Sequence, residues 1–277
     1  MERIKRNERM AALTQMLTAS PNRIFTLSHF CELFGAAKST LSEDVDILRE
    51  TFAAFGLGEL STVTGAAGGV RYRPAMSRQS ALAFVQTLCQ ELQSPSRLLP
   101  GGFLYLNDIL CMPDIVRGMG VIIAGEYYDA APDFVLSMET KGIPVALMTA
   151  QSLGVPLVIA RRASKVYEGP AVNINYVAGS SGRIETMSLS RRAVHEGQRA
   201  LIVDDFIKAG GTAKGMMDLM GEFGVNVVGA AFVMAMAQTR EKLIHDEKAL
   251  MVMHMDAAAP STLRVRPADW LSCEARA

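Results

Sequence analysis

Cysteine is scarce in this chain: Cys31, Cys89, Cys111 and Cys273 are scattered, and no two form a C-x-x-C pair. That spacing excludes a cysteine-based zinc site and a disulfide framework, and it reads as reduced packing residues. Long apolar runs are also missing. The longest, residues 225–237, falls short of the roughly 20 residues that span a bilayer, and the charged start MERIKRNERM has no signal-peptide core. The protein is therefore expected in the cytoplasm, without a membrane partner. His29, His195, His245 and His254 show no metal or triad spacing, so no metal site is expected. Excess charge of either sign is absent as well, with 28 Lys and Arg against 28 Asp and Glu. Any surface for a polyanion must therefore be a local patch.

Apolar residues are plentiful, at 49% of 277 residues, enough for one large domain or two ordinary ones. The 17 methionines read as fillers of irregular core gaps. Near the N-terminus Ile4, Met10, Leu13, Met16 and Leu17 follow helical spacing over residues 3–17. A short second helix fits residues 26–34, and GAAKS supplies the turn after it. A third helix follows, with Thr40-x-x-Glu43 read as a capping box at its start and Leu41, Val45, Leu48 and Phe52 as its apolar stripe.

Residues 58–74 then alternate on either side of a Gly-rich tip, which predicts a β-hairpin. Three short helices and a hairpin describe a winged helix-turn-helix. The polar break Met76-Ser77-Arg78 sets the expected boundary, with a winged-helix domain over 1–75 and a second domain over 76–277. In the second, a helix over 79–92 precedes alternating strands and helices: strands at 134–138, 156–160, 201–203 and 225–233, helices at 146–153 and 212–223. This α/β alternation predicts a parallel sheet. Residues 161–192 form a polar, basic excursion long enough to be a functional flap.

The string LIVDDFIKAGGT, residues 201–212, carries the most chemistry. An apolar strand delivers Asp204 and Asp205, and a glycine-containing loop then opens a helix. The amides of Ala209, Gly210 and Gly211, the Thr212 hydroxyl and the helix N-terminus can surround a phosphate. Adjacent carboxylates repel unless a cation or donor hydroxyls satisfy them, and a ribose diol offers two donors. A plain strand-to-helix turn capped by an acidic pair is the alternative. ETKGIP, residues 139–144, is a second loop at a strand's C-terminal end, where open parallel sheets put ligands.

The acid-pair string resembles the phosphoribosyl pyrophosphate (PRPP) motif of type I phosphoribosyltransferases. Together with AAKSTLSEDV, VTGAAGGVRY, FVQTL, LLPGGFLYLNDIL, TKGIP and KVYEGPAVNINYVAGSSGRIETMSLSRR, it resembles the purine operon repressor family of low-GC Gram-positive bacteria, from about residue 3 to about residue 230. That resemblance implies a homodimeric winged-helix repressor of purine biosynthesis that binds double-stranded operator DNA. Its phosphoribosyltransferase-like domain would take PRPP as inducer without turnover, and guanosine tetraphosphate or pentaphosphate would oppose PRPP in the same pocket. Asp204 and Asp205 would bind the ribose hydroxyls, beside Phe206. Lys208, Ala209, Gly210, Gly211 and Thr212 would hold the 5'-phosphate, and Thr140, Lys141 and Gly142 the pyrophosphate. No cofactor is required and no residue is catalytic on this reading; whether Mg2+ accompanies the effector stays open. FIKAGGT departs from the Thr-Gly pair common in active transferases, and a working purine transferase with a regulatory appendage remains the rival reading.

In a winged helix the start of the third helix faces base edges, here Lys38, Ser39, Thr40 and Ser42. Arg71 and Arg73 in the wing, with Arg3, Lys5, Arg6 and Arg9, supply charge for phosphates, and the acidic Glu43, Asp44 and Asp46 are expected to face away. Residues 1–74 hold nine Lys and Arg against eight Asp and Glu, so a protein-contact role competes. In the flap, Arg161, Arg162, Lys165, Arg183, Arg191 and Arg192 concentrate cations. Effector and DNA phosphates would seek the same ones, which predicts that PRPP weakens DNA binding; a solvated loop is the alternative.

Overall fold

Apolar side chains at helical spacing organise the N-terminal unit around Leu13, Leu17, Phe30, Leu41, Val45, Leu48 and Phe52, all buried together. The computed structural model describes residues 4–65, 68–99, 103–163, 169–178, 182–237, 242–255 and 263–272. The chain divides into two units, Met1–Ser77 with Gln151–Gly154, and Arg78–Ala150 with Val155–Ala277.

The first unit runs α1 (Arg6–Ala19), β1 (Ile24–Phe25), α2 (Leu27–Phe34), α3 (Lys38–Phe55), β2 (Glu59–Val63) and β3 (Gly69–Arg73). The strands form a small sheet in the order β1-β3-β2, antiparallel throughout. This is a winged helix. Thr26 caps α2 by accepting a hydrogen bond from the His29 amide at 3.2 Å. At α3 the expected capping box is not formed. The helix begins at Lys38 with Ala37 as its N-cap and no side-chain cap, so Thr40 and Glu43 lie inside the helix and its first amides have no side-chain partner.

The acidic run on α3 does not simply face away. Asp44 is fully buried and accepts from Arg9 Nε at 2.5 Å and Arg6 Nε at 2.9 Å, while Glu43 and Asp46 are exposed. Arg9, 7% exposed, is thereby withdrawn from the DNA role its charge suggested. Two guanidiniums offset the desolvation of one carboxylate, and this pins α1 to α3. Asp44→Ala strands two cations, one of them buried, and is expected to destabilise this unit by about 3–5 kcal/mol, read as a lowered midpoint in its thermal unfolding. A second arginine ties α3 to the wing: Arg49 donates to Leu60 O at 3.2 Å and Thr62 Oγ1 at 2.8 Å.

The second unit opens with α4 (Arg78–Leu92), the short β4 (Leu98–Leu99) and β5 (Phe103–Leu104), α5 (Asn107–Leu110) and α6 (Pro113–Gly125). Then come β6 (Phe134–Met138), α7 (Ile143–Leu153), β7 (Leu157–Ala160), β8 (Ala171–Val177), β9 (Ile184–Ser190), β10 (Arg199–Ile207), α8 (Gly211–Glu222) and β11 (Asn226–Met236). The chain continues into β12 (Lys248–Met255), β13 (Leu263–Pro267) and α9 (Asp269–Ser272). The main sheet has the order β13-β12-β11-β10-β6-β7, with every neighbouring pair parallel except β12 with β13. The fold is thus α/β, as the alternation predicted. Every residue of β6 is buried, as expected of a central parallel strand with both faces covered.

The basic excursion is an antiparallel hairpin of β8 and β9, held beside β7 by a bridge between Arg161 and Ser188. Lys165 lies outside the described residues. Among the described helices none is long and apolar enough to cross a membrane.

Candidate functional site

The parallel strands β6 and β10 lie side by side, so the loops that leave their C-terminal ends are neighbours. That juxtaposition builds the site. β10 carries Asp204 and Asp205 and continues two residues further, through Phe206 and Ile207, before Lys208-Ala209-Gly210 turns the chain into α8. Gly210 is the N-cap with φ 85°, left-handed backbone that glycine adopts without a Cβ penalty. Asp204, Phe206, Lys208, Ala209, Gly210, Gly211 and Thr212 line one pocket of about 110 Å³, which the sequence motif had grouped. Phe232 joins them from β11, where the sheet register sets it opposite Asp204.

From β6 the chain enters the loop Glu139-Thr140-Lys141-Gly142, whose Glu139–Thr140 peptide bond is cis. Thr140 and Lys141 are exposed and Gly142 is buried. A Cβ on Gly142 would lie 1.9 Å from Asp204 Oδ1, 2.9 Å from Asp204 Cα and 2.8 Å from Ser137 Oγ, so only glycine lets the loop rest on the acid pair. The two strings read separately from the sequence therefore form one site.

The carboxylates are not ordinary. Asp204 is 7% exposed; burial first, then the charge of Asp205, pushes its pKa well above the usual carboxylate range. Asp205 is also raised by burial, with hydrogen bonding to Asp204 and the Lys141 ammonium pulling the other way. Arg162 adds positive field at Asp204. Burial thus disfavours the charged form of both carboxyls, beside a glycine loop of helix-N-terminal amides that suits a phosphate.

The flap cations are divided. The Arg162 amide donates to Glu139 Oε1 at 2.9 Å, while the Arg161 guanidinium lies 3.6 Å from Glu139 Oε2. Arg161 and Arg192 line a separate groove of about 490 Å³ with Leu157, Val158 and Leu189. Arg191 is exposed, and Arg183 stands just before β9, accepting the Ala178 amide on its carbonyl. Sequence reading missed the supports: Glu139, Ser137, Phe232, Tyr176, and the segment after β11, where the Leu243 amide donates to Ala209 O at 2.9 Å. Glu139 and Tyr176 lie inside strings already singled out but carried no role there, and the sheet register and the fold bring all of them close.

Among the described residues no group of three or more His, Cys, Asp or Glu could hold a metal. In the winged helix Lys38, Ser39 and Ser42 are exposed on the first turns of α3, and Thr40 is half-buried. Arg71 and Arg73 alternate along β3, with Arg73 Nε donating to Asn22 Oδ1 at 3.1 Å.

A winged helix followed by a phosphoribosyltransferase fold defines the class. Residues 5–74 match the family described as "Bacterial purine repressor, N-terminal", and residues 106–257 the "Phosphoribosyl transferase domain". The purine biosynthesis transcriptional repressor PurR of Bacillus subtilis is 41% identical over 269 residues, 97% of this chain and 94% of that protein. The purine biosynthesis transcriptional activator PurR of Lactococcus lactis is 41% identical, over 90% of this chain and 92% of its own. An adenine phosphoribosyltransferase structure from Rhodothermus marinus superposes with a TM-score of 0.50 at 24% identity, covering 60% of this chain and 96% of that one, which concerns the fold alone. The chain belongs to the PurR family of purine-biosynthesis transcriptional regulators.

Proposed function

We propose that this chain represses purine-biosynthesis genes by binding operator DNA as a homodimer, and that PRPP releases it. The observation that carries the reading is the pairing of the acids with the glycine loop: Asp204, Lys208, Gly210 and Thr212 share one pocket, and the Thr140–Gly142 loop closes on it. Asp204 and Asp205 accept from the two ribose hydroxyls. The amides of Ala209, Gly210 and Gly211, with Thr212 and Lys208, hold the 5'-phosphate at the start of α8, and Thr140 with Lys141 takes the pyrophosphate. Guanosine tetraphosphate, which also carries a diphosphate on a ribose, competes for the same groups. A Mg2+ accompanying the effector would be held chiefly by the effector's own phosphate oxygens, and Asp204 or Asp205 would be the carboxylates able to add a ligand.

The loop FIKAGGT departs from the Thr-Gly pair common in active transferases, and the protein binds PRPP without turning it over. DNA is read by Lys38, Ser39, Thr40 and Ser42 at an α3 N-terminus that no side chain caps, which leaves its amides for phosphate. Arg71 and Arg73 of the wing add phosphate contacts. The named functions of the B. subtilis and L. lactis relatives support a purine-gene regulator and differ in sign.

The test is a gel shift on purine-gene control DNA at fixed salt, with and without PRPP, beside chromatography of PRPP incubated with each purine base. PRPP is expected to weaken DNA binding by roughly 5- to 150-fold, the ordinary range of such coupling, with no nucleotide formed. Unchanged DNA affinity sinks the inducer reading, and steady nucleotide production sinks the binding-only one.

A further inference from the structure

Glu139 follows β6 directly and leads into Thr140 and Lys141. A carboxylate at that place repels any anion the loop holds. Both of its oxygens are turned to the root of the flap, where Oε1 accepts the Arg162 amide at 2.9 Å and Oε2 lies 3.6 Å from the Arg161 guanidinium. The Glu139 amide also donates to Ala160 O at 3.0 Å, so main chain and side chain together tie this loop to the end of β7. The ion pair is partly sheltered, with the Arg161 side chain 32% and the Glu139 side chain 24% exposed, and salt screens it less than an open surface pair. Arg161 is anchored by its backbone: its amide donates to Ser188 O at 2.9 Å, and the Ser188 amide donates to Arg161 O at 2.7 Å. The guanidinium can therefore change partner while its main chain stays on β9. Arg161 also lines the groove beside β7, which puts it at the border between that groove and the loop.

We propose that Glu139 is an internal stand-in for the effector's pyrophosphate: without effector its carboxylate holds Arg161, and a pyrophosphate on Thr140 and Lys141 takes that guanidinium over. The inference rests on reading the Thr140–Gly142 loop as the pyrophosphate site, and it adds a residue that opposes the ligand there. A diphosphate offers more charge and more acceptor oxygens to a guanidinium than one carboxylate does, so the exchange runs toward the ligand. Each binding event must nevertheless break the resident ion pair and bring the ligand beside a carboxylate. Glu139 thereby sets the effector concentration at which the site fills.

Glu139→Gln keeps an acceptor for the Arg162 amide and removes only the charge. Calorimetry with PRPP at fixed salt should be run on the full chain, as wild type, Glu139→Gln, Arg161→Gln and the double variant. Glu139→Gln is expected to bind PRPP about 3- to 10-fold more tightly, the effect of releasing one partly sheltered ion pair. Arg161→Gln is expected to bind it at least about threefold more weakly, and in that background the gain from Glu139→Gln should fall below about twofold. Mere damage to the loop would weaken binding and would produce no gain that depends on Arg161. Equal or weaker PRPP binding by Glu139→Gln, or the same gain in both backgrounds, overturns the stand-in alone. If Glu139→Gln does not fold, Arg161→Gln decides, and wild-type affinity in that variant overturns the stand-in. No PRPP binding by the wild type overturns the effector reading and the stand-in with it.

Discussion

Gly142→Ala is expected to lower PRPP affinity by at least about 100-fold, equivalent to about 2.7 kcal/mol, while DNA binding without effector persists. The added methyl would stand 1.9 Å from Asp204 Oδ1 and 2.9 Å from Asp204 Cα. A carboxylate can rotate, but the backbone of a central strand cannot, so the Thr140–Gly142 loop must retreat and carry Thr140 and Lys141 with it. The overpacking itself costs about 1–3 kcal/mol, which a unit of this size should survive, and thermal unfolding would show a modest drop with one cooperative transition. Calorimetry reads the binding. Wild-type affinity in this variant would mean that the loop and the acid pair do not act on one ligand.

Asp204→Asn is expected to move stability and binding in opposite directions. Both acids have folded-state pKa values raised above the unfolded value near 3.9. Between the unfolded and folded values the native state holds protons that the unfolded chain has released, so wild-type stability falls as pH rises through that window. A neutral amide removes the buried charge and with it most of that slope. The variant should melt about 2–4 °C higher at neutral pH, the shift that about 1 kcal/mol brings for a unit this large, and the gain should vanish near pH 4. PRPP binding should weaken at least about tenfold, because the amide supplies one acceptor where the carboxylate offered two. In the wild type, PRPP affinity should climb with pH through the same window as the pair ionises. A variant that melts lower at neutral pH, with PRPP affinity intact, would refute this account of the acids.

The parts of the fold written in local periodicity were legible. The strand over 134–138 was bounded to the residue, and the α3 stripe of Leu41, Val45, Leu48 and Phe52 was buried as read. The capping box misled because Thr40 and Glu43 satisfy its spacing three residues inside the helix, where the turn after Phe34 had already set the start at Lys38. The strands β12 and β13 went unread: half of the apolar residues in KALMVMHM are methionine, a residue taken as filler. Within the site, Asp204, Lys208 and Thr212 stood in one string, whereas Tyr176, Glu185 and Phe232 come from other strands. Only register puts Phe232 beside Asp204 and Glu185 beside Tyr176. The raised acidity constants were equally hidden, since the burial that causes them comes from the assembled sheet.

The contact of Arg6 and Arg9 with buried Asp44 makes the start of α1 part of the packing of α3. Because buried Asp44 on α3 draws both Arg9 and the half-exposed Arg6 of α1, the first turn of the first helix braces the third, and trimming into that turn is expected to loosen both helices.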